Sequence, residues 1–428
     1  MVPATTGWMT LLLALLGAAP TAAGTWTAEF EGNLGRVGDG GYTQVLSHDG
    51  ALWVSTQSYG DDNVNVRNLT VLTCGAEPPI RCERSAVRSG THDQDLGRFH
   101  RSALGADGLP AFCYADSPAV KVSRCTDARC AEFRTEVVDP DAPNGKSWSS
   151  ASKCSLAPGA SAAAISQKSD GPLYIALQDP STKRWRRELA LAGHPKTDHP
   201  SAAIDPDDSG ALAVSFASRS SNSLAVLRCR IDGPGACART ANVSVWDATS
   251  PKSGVRYTQA VFKRRADGTT FLSVHYIAMD DGSLRRCDED GSGGATITKM
   301  APTASKGSCP GLSSCPYGGF LTAKPWTRGF ESGVTTSYFD ESRGNENIGR
   351  LVVADDKAGE LWSDVGADGY GRDSSLTFVA DGIIAVSYMN YSHNTSLKEL
   401  RLAILSERPP IKSDDRQQPS RTSRWWFM

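Results

Sequence analysis

Only seven histidines occur in the 428-residue chain, and two of them, His100 and His199, each stand ahead of a glycine turn that recurs along the sequence. Tyr42, Tyr257 and the pair Arg372–Asp373 hold the corresponding place before other turns, and Lys153 and Trp326 (with Arg328 beside it) are the nearest counterparts in two units that align less well. A neutral imidazole or a phenol can take a proton α to a carboxylate while a guanidinium neutralises the charge that develops. That chemistry suits elimination from a uronic-acid polysaccharide. His100, His199, Tyr257 and Arg372 are therefore the candidate catalytic residues, and Tyr42, Lys153, Trp326 and Asp373 the candidate ligand-binding ones. Two histidines could also hold a metal. The simplest reading is that such polar groups bond water and neighbouring backbone; binding of a sugar or other small ligand comes next, and catalysis after it.

Other chemistry is less well supported. Asp205, Asp207 and Asp208 in one turn, and Asp288, Glu289 and Asp290 before Gly291, offer oxygen ligands for Ca²⁺. Neither follows the EF-hand order, and a solvated acidic loop explains both, so no cofactor is assigned. Glycoside hydrolysis needs two opposed carboxyl groups, and no spacing nominates a pair. There is no nucleophile elbow, phosphate loop, dinucleotide fingerprint or zinc-protease motif. A formal net charge of −2 gives no electrostatic case for nucleic acid or an anionic membrane as partner. Trp148, Trp185, Trp246 and Trp362 could stack on sugars, but large aromatics more often pack between sheets.

The first residues read as a secretory signal over 1–23: an apolar run from Met9 to Ala18, then small residues at Thr21–Ala23. The run is too short to span a bilayer, no later stretch could, and the reading implies a secreted, extracellular protein. Eleven cysteines suit an oxidising compartment. Cys74 with Cys82, Cys125 with Cys130, and Cys229 with Cys237 each bracket a turn, so a disulfide there would staple a third strand to a fourth. Cys113 and Cys154 lie in consecutive units and could pair; Cys309 and Cys315 frame a loop, leaving Cys287 odd. None of these spacings matches a zinc site. Sequons at Asn68, Asn242, Asn390 and Asn394 mark candidate glycan sites.

What must position these residues is a repeat. Apolar run, Gly turn, apolar run, polar loop, apolar run is a three-stranded meander, since Asp-Gly between alternating segments is a strong hairpin signal. The turns are Asp49-Gly50, Asp107-Gly108, Asp170-Gly171, Ser209-Gly210, Asp267-Gly268, Ser332-Gly333 and Asp381-Gly382. Each is followed by a segment such as Ala211-Leu-Ala-Val-Ser-Phe, where Ser or Ala alternates with aliphatics and suits strands packed near a crowded axis. Third strands such as Val120-Lys-Val-Ser-Arg carry charge and suit an outer position. The spacing, roughly 40–65 residues, is that of propeller blades. The last unit lacks a fourth strand, while Thr25-Trp-Thr-Ala-Glu-Phe-Glu alternates without a partner, so the amino end is expected to complete it and close the ring. Residues 406–428 are rich in Pro, Ser, Arg and Asp and read as a disordered tail ending in Trp425-Trp-Phe-Met.

These Gly-turn hairpins resemble the blades of secreted, sialidase-like (Asp-box) β-propellers, Ser47-His-Asp-Gly-Ala-Leu-Trp53 having the flavour of an Asp box without the residue between Asp and Gly. The resemblance is one of architecture and implies no sialidase active site. It leads to an all-β protein, a seven-bladed β-propeller over residues 24–405 closed by its N-terminal strand. The expected role is recognition of a carbohydrate or an extracellular protein through the axial pocket or a face. A polysaccharide lyase or glycosidase, and a purely structural extracellular protein, are the alternatives.

Overall fold

A computed structural model describes residues 25–37, 42–60, 63–75, 80–87, 99–116, 119–140, 153–166, 171–191, 196–248, 254–278, 283–291, 294–301, 321–328, 331–340, 350–364, 370–391 and 398–408. The described strands form seven antiparallel four-stranded sheets. Within six of them the strands follow chain order, as consecutive hairpins require. The seventh holds the last three strands of the chain plus Thr25–Val37, which pairs antiparallel with Lys398–Arg408 from Thr25 opposite Arg408 to Val37 opposite Lys398. The N-terminal strand therefore closes the ring, as expected, and covers an edge that would otherwise be open. Pairing runs through Arg408, past the boundary expected at Leu405.

Apolar cores lie between blades. Clusters join blades 1 and 2, 2 and 3, 3 and 4, 4 and 5, 5 and 6, 6 and 7, and finally 7 and 1, where Met389 and Leu402 pack with Val45 and Val54. Each sheet is too small to bury a face alone and does so against its neighbours. Serines on the second strands serve the same junctions: Ser55, Ser215, Ser337 and Ser387 bond His100, Thr258, Ser374 and Thr43 of the next blade at 2.8, 3.0, 3.2 and 2.9 Å. A small residue with one hydroxyl fits where strands crowd, which is why Ser alternates with aliphatics there.

Four of the expected turns join first and second strands: those at Gly50, Gly108, Gly268 and Gly382, all with positive φ. Three need correction. Gly171 precedes the third strand of blade 3, Leu173–Gln178; its second strand is Ala162–Ser166, reached through Gly159 at φ 80. That alanine-rich segment carries little strand propensity, so its sequence does not mark it as a strand. Ser209-Gly210 and Ser332-Gly333 lie inside second strands, Asp208–Ser218 and Glu331–Asp340.

The four expected disulfides are present. Cys74–Cys82, Cys125–Cys130 and Cys229–Cys237 tie third strands to fourth within a blade. Cys113–Cys154 ties blade 2 to blade 3. Cys287 is buried and free, and Cys309 and Cys315 lie outside the described residues, as do the tail beyond Arg408 and residues 1–24. Among the described residues no helix is long and apolar enough to cross a membrane.

Candidate functional site in the axial channel

The first strands of the blades are Thr43–His48, Arg101–Leu104, Lys153–Leu156, Thr197–Asp205, Val255–Arg264, Thr322–Arg328 and Tyr370–Ala380. All seven contribute to the wall of one cavity of about 600 Å³ along the axis. Cross-blade bonds set their common register. Ser155 Oγ accepts from Ala202 N, Ser201 Oγ from Ala260 N and Ser375 Oγ from Val45 N, at 3.0, 3.0 and 3.1 Å. With those positions aligned, Gln44, Arg101, Ser155, Ser201, Gln259 and Ser375 share one rung.

Two residues earlier stand Tyr42, Phe99, Lys153, His199, Tyr257 and Asp373, a rim at the leading end of the strands. The backbone is left-handed at four of these, with φ 52 at Phe99, 49 at His199, 54 at Tyr257 and 58 at Asp373. Strand pairing skips at the same points, between Asp198 and Ser201, Arg256 and Gln259, and Arg372 and Ser375. A bulge re-aims the side chain that precedes it. For a non-glycine residue the conformation costs about 1–2 kcal/mol, and strain of this kind clusters where geometry serves function.

The rim is continuous from blade to blade. The rings of Tyr42 and Phe99 are 4.5 Å apart, and Lys153 Nζ lies 4.8 Å from the centre of the Phe99 ring. The same ammonium donates to Asp198 Oδ1 at 2.5 Å and lies 3.4 Å from His199 Nε2. His199 meets Tyr257 at 4.5 Å between ring centres. Asp198 also accepts from Arg219 at 2.5 Å and from the backbone of His199 at 2.9 Å.

Burial governs the ionisation of this group. It holds His199 well below its usual value, with Asp198 opposing and Lys153 reinforcing, so the imidazole is neutral at pH 7. It raises the Tyr257 phenol and lowers the Lys153 ammonium. Burial also opposes ionisation of Asp198, but Lys153 and Arg219, with the backbone N–H of His199, keep its carboxyl far below the ordinary range. A neutral imidazole beside a protonated phenol is competent for proton transfer; a carboxylate between two cations holds them in place.

Tyr42, Lys153, His199, Tyr257 and Asp373, named from sequence, thus come to one rim. His100 does not. It falls one residue later, on the alternate side of the chain, where Nε2 meets Ser55 Oγ at 2.8 Å in the junction between blades; Phe99, with its left-handed backbone at φ 52, holds the rim position instead. Trp326 is corrected as well. It lies near the trailing end of its strand, paired with Gly333, and its Nε1 donates to Asp355 at 2.5 Å. The Arg372 side chain lies outside the described residues.

Inside the channel, beyond the rim, stand Arg101 and Lys324, which sequence reasoning missed. The available signal was their place on the first strands of blades 2 and 6. Among the described residues no three His, Cys, Asp or Glu side chains gather as for a metal. The acidic turns are engaged otherwise: Asp207 with Arg264, Asp208 with Arg230, Glu289 with Arg228, and Asp288 with Arg286 and Ser273. Of the aromatics considered for stacking, Trp246 is buried, Trp185 bonds Glu136, Trp362 packs against the core between blades 6 and 7, and Trp148 is not described. Asn242 is exposed, Asn68 and Asn390 are buried in strands, and Asn394 lies outside the described residues.

No known protein family matches the chain, and neither does any curated protein. Solved structures do. A protein of unknown function from Dyadobacter fermentans is similar at 14% identity and a TM-score of 0.48, over 91% of this chain and all of that one. A Trypanosoma rangeli sialidase mutant displaying trans-sialidase activity is similar at 9% identity and a TM-score of 0.47, over 90% of this chain and 57% of that one. A Synechocystis apocarotenoid oxygenase mutant is similar at 12% identity and a TM-score of 0.43, over 76% of this chain and 71% of that one. The propeller fold itself is established by the seven sheets and the pairing of the amino-terminal strand with the last one.

Proposed function

We propose that the protein is a secreted recognition module that binds a carbohydrate in its axial channel, and that Asn242, the exposed sequon, carries glycan. The supporting observation is the rim of Tyr42, Lys153, His199, Tyr257 and Asp373 set above a cavity of about 600 Å³, of a size that encloses a small ligand. Aromatic faces with ammonium, imidazole, phenol and carboxyl groups around them match a sugar ring that has both apolar and hydroxyl-bearing edges. Four disulfides among the described residues accord with an oxidising compartment. A glycan array probed with the protein tests the reading: hits weakened by Tyr257→Phe or His199→Gln support it, and an empty array across neutral and acidic glycans defeats it.

One observation favours a second reading, lyase chemistry. His199 is held neutral by burial and stands against the protonated Tyr257, so a base and an acid adjoin. Uronate polymers incubated with the protein would then yield unsaturated, ultraviolet-absorbing ends, and none would form with His199→Gln.

A further inference from the structure

Buried or half-buried cations in this molecule are, with few exceptions, matched to carboxylates. Lys153 and Arg219 share Asp198, Lys263 and Arg286 share Asp356, and Arg285 meets Asp247. Arg101 and Lys324 differ. They stand on blades 2 and 6, half-buried on the wall of the same cavity, with no close ion pair among the described residues; the Asp373 carboxyl and the Tyr257 phenol on the rim favour the charge of Arg101 from a distance, and Lys324 feels Arg101 as a like charge. The one carboxylate on that wall, Asp205, lies at the far, hairpin end, where it accepts from Thr270 at 2.8 Å and from Asp207 N at 3.0 Å. Two like charges in a cavity repel and lose hydration, a cost that an anion between them would reverse.

The rest of the wall is not that of a simple anion site. Beyond the rung of Gln44, Ser155, Ser201 and Gln259, the lining turns aliphatic and aromatic, with Leu46, Leu104, Leu156, Ile204 and Phe262. The two cations therefore share the wall of the cavity with an apolar stretch.

We infer that the channel binds an amphipathic anion, its carboxylate, sulfate or phosphate group seated between Arg101 and Lys324 and its apolar body in the chamber lined by Leu46, Leu104, Ile204 and Phe262. The inference rests on the axial channel being a ligand site and narrows that ligand from carbohydrate in general to an acid with an apolar portion, whether glycoconjugate or acyl acid. Burial supports it by pushing the Arg101 guanidinium down to about 10, against the opposing influence of Tyr257 and Asp373, and by lowering the Lys324 ammonium, the latter with help from Arg101. Without an anion the two charges are held at a cost; with one they are held to a purpose.

The test is calorimetry on the intact protein with matched twins: decanoate against decanol below their micellar range, and glucuronate against glucose. Decanoate should bind at least about tenfold more tightly than decanol, and Arg101→Gln or Lys324→Gln should each abolish that preference. Lys324→Gln should also raise the Tm of the ligand-free protein, because its repulsion with Arg101 is relieved; this separates a binding role from a structural one. Equal binding of acid and alcohol overturns the inference while leaving the channel a ligand site. Glucuronate bound with decanoate no better than decanol replaces the amphipathic acid by a polar one and overturns it too. No binding of any of the four defeats both this inference and the channel reading.

Discussion

The hydroxyl of Tyr388, on the last blade, lies 2.9 Å from Glu31 of the amino-terminal strand and 3.0 Å from Asp364 of blade 6. A phenol has one proton to donate, so two ionised carboxylates cannot both be satisfied by it. Arg401 reaches Glu31 at 3.1 Å and lies 3.7 Å from Glu399. Burial, and then the charge of Glu31, raise the Asp364 carboxyl, while Tyr388 and Arg401 oppose. Where the closing strand meets blade 6, the folded protein thus favours keeping a proton on Asp364.

A pH dependence of stability follows. A folded-state value raised above the unfolded one, about 3.9 for Asp, means that the folded protein binds the extra proton. The contribution is complete below the unfolded value and is lost as pH rises through the folded one. Glu31→Gln should remove this loss, by supplying a neutral partner, and flatten the upper-acid limb of a Tm-against-pH curve. Amide exchange in Thr25–Val37 reports the same event locally; identical curves for both proteins would refute it.

His275 gives the opposite slope. Burial holds its imidazole at about 3, with Asp356 opposing, and its Nδ1 has no hydrogen-bond partner among the described residues. The unfolded chain takes up a proton near 6.5 that the folded one refuses, so stability falls as pH drops from about 6.5 to about 3, by up to about 1.4 kcal/mol per unit. His275→Phe should be near neutral at pH 7 and stabilising at pH 4, as measured by urea unfolding at both.

Asp198 anchors the rim from below. It is fully buried and bonded by Lys153 and Arg219. Asp198→Asn leaves the buried ammonium of Lys153 without its counter-charge, which should cost about 3–5 kcal/mol. Ligand binding should weaken along with stability, since Lys153 also touches Phe99 and His199.

Cys113–Cys154 joins neighbouring blades over a separation of 41 residues. Closing a loop of that length restricts the unfolded chain by about 4 kcal/mol. Cys113→Ala with Cys154→Ala should lower stability by that order, whereas losing Cys125–Cys130, only 5 residues apart, should cost visibly less. Equal losses would show that strain or packing, rather than loop closure, sets the effect.

Local chemistry in the chain was enough for the blades, the closing strand and the disulfides. Alternating Ser, Ala and aliphatic residues, positive-φ glycines such as Gly50 and Gly382, and cysteines bracketing a turn act over a few residues, and their meaning survives without knowledge of the rest. Five of the rim residues could also be named, because a repeat places like residues at like heights. What only the tertiary structure decided is which neighbour faces the axis. A left-handed backbone at Phe99 puts that residue rather than His100 on the rim, and a shift of one residue in a strand turns a side chain to the other face, which also hid Arg101 and Lys324. Whether a cation meets a carboxylate closely, as Lys153 meets Asp198, or faces a cavity without a close ion pair among the described residues, as Lys324 does, depends on strands from blades far apart in sequence, and no local pattern encodes that distance.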